Sequence, residues 1–174
     1  MPLPLTSPSG GSDTRKIMIV IRQAQLDSFT RAEWQRFLDS IAAEVRAILA
    51  LRNDPRVVVR EGINARHLEL ADLGEQVDLA VCDVSFISAT QMIPAMLRVF
   101  KPGSERLIVL VKPQFEVGKG MVGKGGIVRD PALHASSCAK VRNFLEEQGF
   151  TTDMIESPIT GAEGNREFLV YGRR

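Results

Sequence analysis

The chain has almost no excess charge, because 22 lysines and arginines are balanced by 21 aspartates and glutamates and leave a formal net charge of +1. A domain that binds nucleic acid through charge alone is strongly basic. Any contact with RNA or DNA must therefore depend on a local surface and not on the overall charge of the protein.

Cysteine and histidine are scarce as well, with two residues of each. Cys82 and Cys138 lie far apart and form no CxxC pair, so they are expected to be reduced thiols in a cytoplasmic protein. His67 and His134 have no ligand-like neighbours in the sequence, and no metal site is predicted. No window approaches the roughly 18 apolar residues of a membrane span, so no membrane association is expected.

Hydrophobic residues make up 44% of the 174-residue chain, an ordinary share for one globular domain with a core. The first residues, MPLPLTSPSGGSD, are rich in proline, serine and glycine. We therefore predict a disordered tail over residues 1–14 and a single domain over residues 15–174.

Apolar runs and helical periodicities alternate along that domain. The predicted elements are a strand at Lys16–Arg22, a helix opened by the Thr30 and Glu33 capping box and continuing to Leu49, strands at Val57–Arg60 and Val77–Asp83, a helix at Ser88–Phe100, a strand at Arg106–Lys112, a helix from Asp130 and Pro131 to Gly149, and two closing strands, TTDMIES and REFLVYG. This order predicts an α/β sheet, mostly parallel, with ligands at the carboxyl ends of its strands.

The stretch GKGMVGKGG, residues 118–126, matches two glycine-rich nucleotide patterns. Both patterns require a strand directly before the glycines and a helix directly after them. Five residues separate this stretch from the preceding predicted strand, and Gly125 stands where the second pattern needs serine or threonine. We interpret it as a basic glycine loop of the kind that forms lids.

Two ionisable residues, Asp83 and Lys112, end consecutive predicted strands. A strand, helix, strand unit normally places its two strands side by side and parallel, so both residues should lie at one edge of the sheet. From the pattern alone, an ordinary ion pair and a catalytic pair both remain open.

Three longer segments, VCDVSFIS, VKPQFEVGKGMVGKGGIVRDP and SPITGAEGNREFL, resemble the hemolysin A (TlyA) family of FtsJ-like RNA methyltransferases. Together with LRNDPRVVVREGINARHL they cover the region from about Leu51 to Val170. The resemblance implies a doubly wound, mostly parallel, Rossmann-like sheet. It also implies methyl transfer from S-adenosylmethionine to a ribose 2'-hydroxyl, with ribosomal RNA or a ribosomal subunit as the partner.

The same resemblance implies roles for individual residues. Three positions of a Lys-Asp-Lys-Glu catalytic set correspond to Asp83, Lys112 and Glu167. Asn64 in INARHL corresponds to a loop near the cofactor's adenine, and Asp83 would also lie beside the cofactor. Taken alone, Asn64 reads equally well as a helix N-cap.

Upstream of Leu51 the sequence departs from the family pattern, because it has no acidic residue followed by several glycines after the first strand. Only the pair Gly10 and Gly11 is present, and the first lysine of the catalytic set has no counterpart, nor is there an S4-like RNA-binding domain. We therefore predict weak or absent binding of S-adenosylmethionine. Three interpretations follow: a divergent methyltransferase, a non-catalytic module that binds RNA or a partner, and an enzyme with an altered beginning.

Overall fold

The computed structural model describes residues 20–21, 60, 63–118, 120–161 and 164–174. In chain order the strands are β1 (Val20–Ile21), β2 (Leu79–Cys82), β3 (Arg106–Val111), β4 (Thr151–Glu156) and β5 (Phe168–Arg173). The α-helices are α1 (Leu70–Leu73), α2 (Ile93–Leu97), α3 (Pro113–Glu116) and α4 (Pro131–Glu147), with 3-10 turns at Ala65–His67, Ala89–Gln91 and Lys124–Gly126.

The strands form one sheet in the order β1-β2-β3-β5-β4. β2 and β3 are parallel, whereas β1 pairs with β2, β3 with β5, and β5 with β4 in antiparallel fashion. β2, β3 and β4 therefore run in one direction, and β5 is inserted between β3 and β4 in the other.

The main core lies between one face of this sheet and the helices. Strand β2 is buried along its whole length, as expected for an apolar run in the interior of a sheet. Helix α4 contributes the apolar residues Cys138, Val141 and Leu145 to this core at helical spacing. His134 and Ser137 are buried on the same helix. The opposite face holds a smaller cluster of Leu79, Val81 and Ile108, with Leu169 and Tyr171 packed against it.

Local signals fix the bounds of α4. The Asp130 side chain accepts a hydrogen bond of 2.8 Å from the Ala132 amide, and Pro131 occupies the first turn, where its missing N–H costs nothing. After the last turn, Gly149 adopts φ +84°, a left-handed conformation that glycine accepts and that ends the helix. The predicted start and end of this helix are confirmed.

The α/β architecture is confirmed, and the pairing among the described strands is mixed, with one parallel and three antiparallel pairs where a mostly parallel sheet was expected. The C-terminal hairpin is the reason: the described residues between β4 and β5 include no α-helix, so β5 returns antiparallel and pairs on both sides. The predicted tail, the helix from Thr30 to Leu49 and most of the Val57–Arg60 strand lie outside the described residues, and the proposed domain bounds stay a prediction.

Candidate active site

Two oppositely charged residues meet where β2 and β3 end. Asp83 directly follows β2 and Lys112 directly follows β3, and parallel pairing brings these ends to the same edge. Lys112 Nζ lies 2.6 Å from Asp83 Oδ1. The predicted adjacency of the two strands and of the two residues is confirmed.

The pair is partly withdrawn from solvent, and unequally so. The Lys112 side chain is 14% exposed and that of Asp83 is 30% exposed. Lys112 also donates a hydrogen bond of 3.3 Å to Ser85 Oγ. The ammonium therefore has two oxygen partners from the segment that follows β2, and the carboxylate retains a path to water.

Glu167 lies beside this pair, on the segment that leads into the antiparallel strand β5. It immediately precedes β5, and the register that pairs Val111 with Phe168 places it beside the residue that follows β3. Glu167 is 6% exposed. Burial raises the pKa of its carboxyl group, the field of Lys112 lowers it and that of Asp83 raises it. The structure thus brings Asp83, Lys112 and Glu167 together.

Gly161 makes room for the Glu167 side chain. A Cβ atom built on Gly161 would lie 2.1 Å from Glu167 Oε1, far closer than nonbonded atoms approach. The surrounding turn is closed by hydrogen bonds from the Gly161 amide to the Asn165 carbonyl and from the Gly164 amide to the Gly161 carbonyl. Any side chain at position 161 would displace the carboxylate.

An exposed aromatic residue, Phe86, follows Asp83 by three positions. Phe86 is 77% exposed and has φ +64°, a left-handed conformation that is uncommon for a bulky residue. Its ring centroid lies 5.0 Å from that of Phe115 at an interplanar angle of 48°. Strained, exposed residues of this kind concentrate at binding sites.

Asn64 caps a turn of its own. Its Oδ1 atom accepts a hydrogen bond of 3.2 Å from the Arg66 amide at the start of the first 3-10 turn. The N-cap interpretation is confirmed, and the cofactor contact of Asn64 stays a prediction.

The glycine loop, described at 118 and 120–126, does not join a strand directly to a helix. Helix α3 separates it from β3, and its last residues form the Lys124–Gly126 turn. The buried Asn165 attaches this loop to the segment that carries Glu167: its Nδ2 donates to the Gly126 carbonyl at 3.0 Å and its Oδ1 accepts from the Val128 amide at 3.1 Å. A role as a lid stays a prediction.

The cysteines offer no second reactive group. Both are free and buried. Burial is the main factor that raises the pKa of Cys82 to about 12 and that of Cys138 to about 11, so both remain neutral thiols at neutral pH. Within the described ranges, no cluster of three or more His, Cys, Asp or Glu side chains is arranged to hold a metal ion, and no helix has the length and apolarity to cross a membrane.

The sequence analysis did not identify Phe86 or Gly161 as site residues. The exposure of Phe86 and the contact of Gly161 with Glu167 depend on the tertiary structure, and no spacing rule would have predicted them.

Several known proteins are similar to this chain over about 70% of its length. The family model of the FtsJ-like methyltransferase matches residues 33–174. The 16S/23S rRNA (cytidine-2'-O)-methyltransferase TlyA of Mycobacterium tuberculosis is 46% identical over 125 residues, which is 71% of this chain and 46% of that protein. Hemolysin A of Brachyspira hyodysenteriae is 36% identical over 126 residues, 71% of this chain and 52% of that protein.

A solved structure described as a hemolysin from Streptococcus thermophilus superposes with a TM-score of 0.67 at 37% identity, covering 72% of this chain and 46% of that one. A second, from Lactococcus lactis, gives a TM-score of 0.66 at 39% identity, covering 70% of this chain and 59% of that one. The chain spans about half the length of the curated relatives that it matches.

Proposed function

Because the chain belongs to the FtsJ-like methyltransferase family, we propose that it methylates a ribose 2'-hydroxyl of ribosomal RNA, in the manner named for its TlyA relatives. The observation that carries this proposal is the Lys112–Asp83 pair, 2.6 Å apart at the carboxyl edge of two parallel strands, with the buried Glu167 beside it. Open α/β sheets bind their ligands at this edge. A cytoplasmic location is part of the same proposal.

The difficult step is removal of a proton from the ribose hydroxyl, which is a poor nucleophile while it keeps that proton. We assign this step to Lys112, whose Nζ atom, as a neutral amine, would accept the proton. Asp83 holds that nitrogen in place and stabilises the ammonium that results. Because Asp83 is 30% exposed, the proton can pass from the pair to water after each turnover.

Glu167 is assigned the orientation of the hydroxyl. Burial raises the pKa of its carboxyl group, so this group keeps a proton to higher pH than an exposed glutamate does. It can then exchange hydrogen bonds with the ribose while Lys112 accepts the proton. Gly161 keeps the carboxylate in this position.

Phe86 is assigned to the RNA. Unpaired bases of RNA stack on exposed aromatic rings, and such stacking can hold the nucleotide that is to be methylated. Phe86 is exposed and supported by Phe115 from α3. It lies three residues after Asp83, so a base stacked there would keep its ribose near Lys112. This local contact suits a chain with a net charge of only +1.

S-adenosylmethionine carries positive charge, and the described residues fit it in one respect. The partly exposed carboxylate of Asp83 lies at the edge of the sheet where ligands of α/β folds bind. Asp83 and Asn64 would hold the cofactor, Asn64 from the adenine side. When bound, the cofactor supplies an electrophilic methyl group. The Met1–Ala50 segment lacks the family's glycine turn, and we expect a dissociation constant above about 1 mM, some 4 kcal/mol of binding.

A non-catalytic module that binds RNA or a partner is the second candidate, and the absent glycine turn favours it. Two measurements on the purified chain separate the candidates: calorimetric titration with S-adenosylmethionine, and methylation of ribosomal RNA at several millimolar cofactor. Methylation at the 2'-hydroxyl establishes the enzyme. RNA binding without methylation at saturating cofactor would refute the catalytic assignment and leave the binding module.

A further inference from the structure

Outside the proposed catalytic residues, the buried carboxylate of Glu116 is held by an ion pair and by hydrogen bonds to both of its oxygens. Its side chain is 2% exposed. Oε1 accepts a hydrogen bond of 2.7 Å from the Ala89 amide, and Oε2 accepts one of 2.6 Å from Ser88 Oγ. The Lys140 ammonium lies 2.9 Å from Oε2. Both carboxylate oxygens are therefore used.

Lys140 completes this arrangement from helix α4. Besides its ion pair with Glu116, its Nζ atom donates to Ser88 Oγ at 3.1 Å and to the backbone carbonyl of Glu116 at 3.2 Å. The Lys140 side chain is 43% exposed, so its charge remains in contact with water while it neutralises the buried carboxylate. We refer to Ser88, Ala89, Glu116 and Lys140 as the Glu116 brace.

The brace lies at the far ends of the two segments that begin with the Asp83–Lys112 pair. Ser88 is five residues after Asp83, and Glu116 is four residues after Lys112, at the end of α3. Between these ends, the rings of Phe86 and Phe115 are in contact. The two segments are thus joined at their beginning by the ion pair and at their end by the brace.

We propose that Glu116 is a positioning residue, which holds Lys112 against Asp83 by fixing the segment after β2 to helix α3. Glu116 itself touches neither member of the pair among its recorded hydrogen bonds. Its effect passes through α3, whose first turn begins directly after Lys112. The catalytic consequence of this inference rests on the proposed function, whereas the geometric consequence does not.

The length and the charge of the Glu116 side chain can be tested by separate substitutions. Aspartate keeps the charge but is shorter by one methylene, about 1.5 Å, so it cannot span contacts of 2.6 and 2.7 Å. Glutamine keeps the length and can still accept from the Ala89 amide, although it loses the charge that faces Lys140. A positioning role requires a side chain long enough to reach Ser88 and Ala89, so Glu116→Asp should be more damaging than Glu116→Gln.

The first arm of the test needs no enzymatic activity. The rate at which an amine reagent modifies Lys112 is measured by mass spectrometry in the full chain, with Lys101 as the internal reference. Lys112, 14% exposed and ion-paired, should become several-fold more reactive in Glu116→Asp and less so in Glu116→Gln. Arg142→Gln, which removes a charged contact elsewhere on α4, is the matched control and should change nothing.

The second arm measures methylation. Glu116→Asp should lower kcat by about 100-fold, the loss that a displacement near 1 Å produces, with KM for RNA and cofactor unchanged. Circular dichroism verifies folding. If Glu116→Asp does not fold, Ser88→Ala takes its place, because it removes the two hydrogen bonds of the Ser88 hydroxyl within the brace, to Glu116 and from Lys140.

Unchanged Lys112 reactivity in folded variants of both Glu116 and Ser88 would overturn the inference. So would a larger effect of glutamine than of aspartate, because that order would indicate an electrostatic role. Absence of methylation by the unsubstituted chain would instead count against the proposed function, and the reactivity measurements would still decide the role of Glu116.

Discussion

Strand β2 is bracketed by two aspartates, and each is paired with a lysine. Asp78 directly precedes the strand and lies 2.9 Å from Lys101 Nζ; Asp83 directly follows it and lies 2.6 Å from Lys112 Nζ. The two pairs have the same chemistry and opposite burial. In the first the aspartate is 4% and the lysine 51% exposed, whereas in the second the aspartate is 30% and the lysine 14% exposed.

This difference decides what each pair can do. Lys101 is half-exposed beside a buried carboxylate, so we assign the Asp78–Lys101 pair a structural role, the neutralisation of that carboxylate. Lys112 is largely withdrawn from water, with a partly exposed carboxylate and the buried Glu167 beside it, and we assign it to proton transfer. The same residue types at the two ends of one strand therefore have different assignments.

The largest expected effect comes from removing the buried lysine. Lys112→Ala should reduce methylation turnover by about 10² to 10⁴, the contribution of a general base, while leaving the fold intact because Asp83 remains partly solvated. The measurement is steady-state methylation of ribosomal RNA, with circular dichroism as the check on folding. Undiminished turnover would remove Lys112 from the mechanism and make the two pairs equivalent.

Gly161→Ala should have the next largest effect. The added methyl group would lie 2.1 Å from Glu167 Oε1, so the carboxylate must move, at a cost of about 1–3 kcal/mol in unfolding free energy and with loss of turnover. Gly118→Ala, where no atom lies within 4 Å, is the matched control. An equal penalty in a Glu167→Ala background would show that the carboxylate is not the group displaced.

Glu167→Gln tests the electrostatics of the proposed catalytic site. Burial raises the pKa of Glu167 above its ordinary value of 4.5, so the folded protein holds this proton more tightly than the unfolded chain does. The stability that the neutral carboxyl contributes is present below pH 4.5 and is lost as pH rises through the folded pKa.

The glutamine variant should therefore gain unfolding free energy relative to the unsubstituted protein at neutral pH, and the gain should vanish near pH 4.5. Urea denaturation at both pH values measures it. The direction of this pKa shift would be contradicted if the difference in unfolding free energy, variant minus unsubstituted protein, were smaller at neutral pH than at acid pH.

The smallest effect on turnover is expected at the other end of β2. Lys101→Met should cost about 1–3 kcal/mol of unfolding free energy, because it leaves the buried Asp78 carboxylate without the charge that faces it, although the half-exposed site lets water replace part of the contact. Methylation should be unchanged. A loss of turnover comparable to that of Lys112→Ala would mean that the amino end of the strand also supports catalysis.

Much of this architecture could be predicted from the sequence. Apolar runs located β2 and β3, the cap at Asp130 and the glycine at position 149 set the ends of α4, and strand topology alone placed Asp83 and Lys112 at one edge. The mixed pairing of the sheet was harder to predict. After α4, strand β4 is not placed directly beside β3, and β5 fills the position between them. The sequence of no single element marks that position.

The sequence by itself determined the order of the elements, the family and the three proposed catalytic positions, because these depend on spacing within short segments. Only the tertiary structure decided which lysine is withdrawn from water, that Gly161 makes room for Glu167, and that Glu116 joins the segments after β2 and β3. Burial, and contacts between residues 27 or 28 positions apart, depend on how the strands and the segments after them pack side by side. The sequence pattern of one segment does not specify which other segment will pack against it.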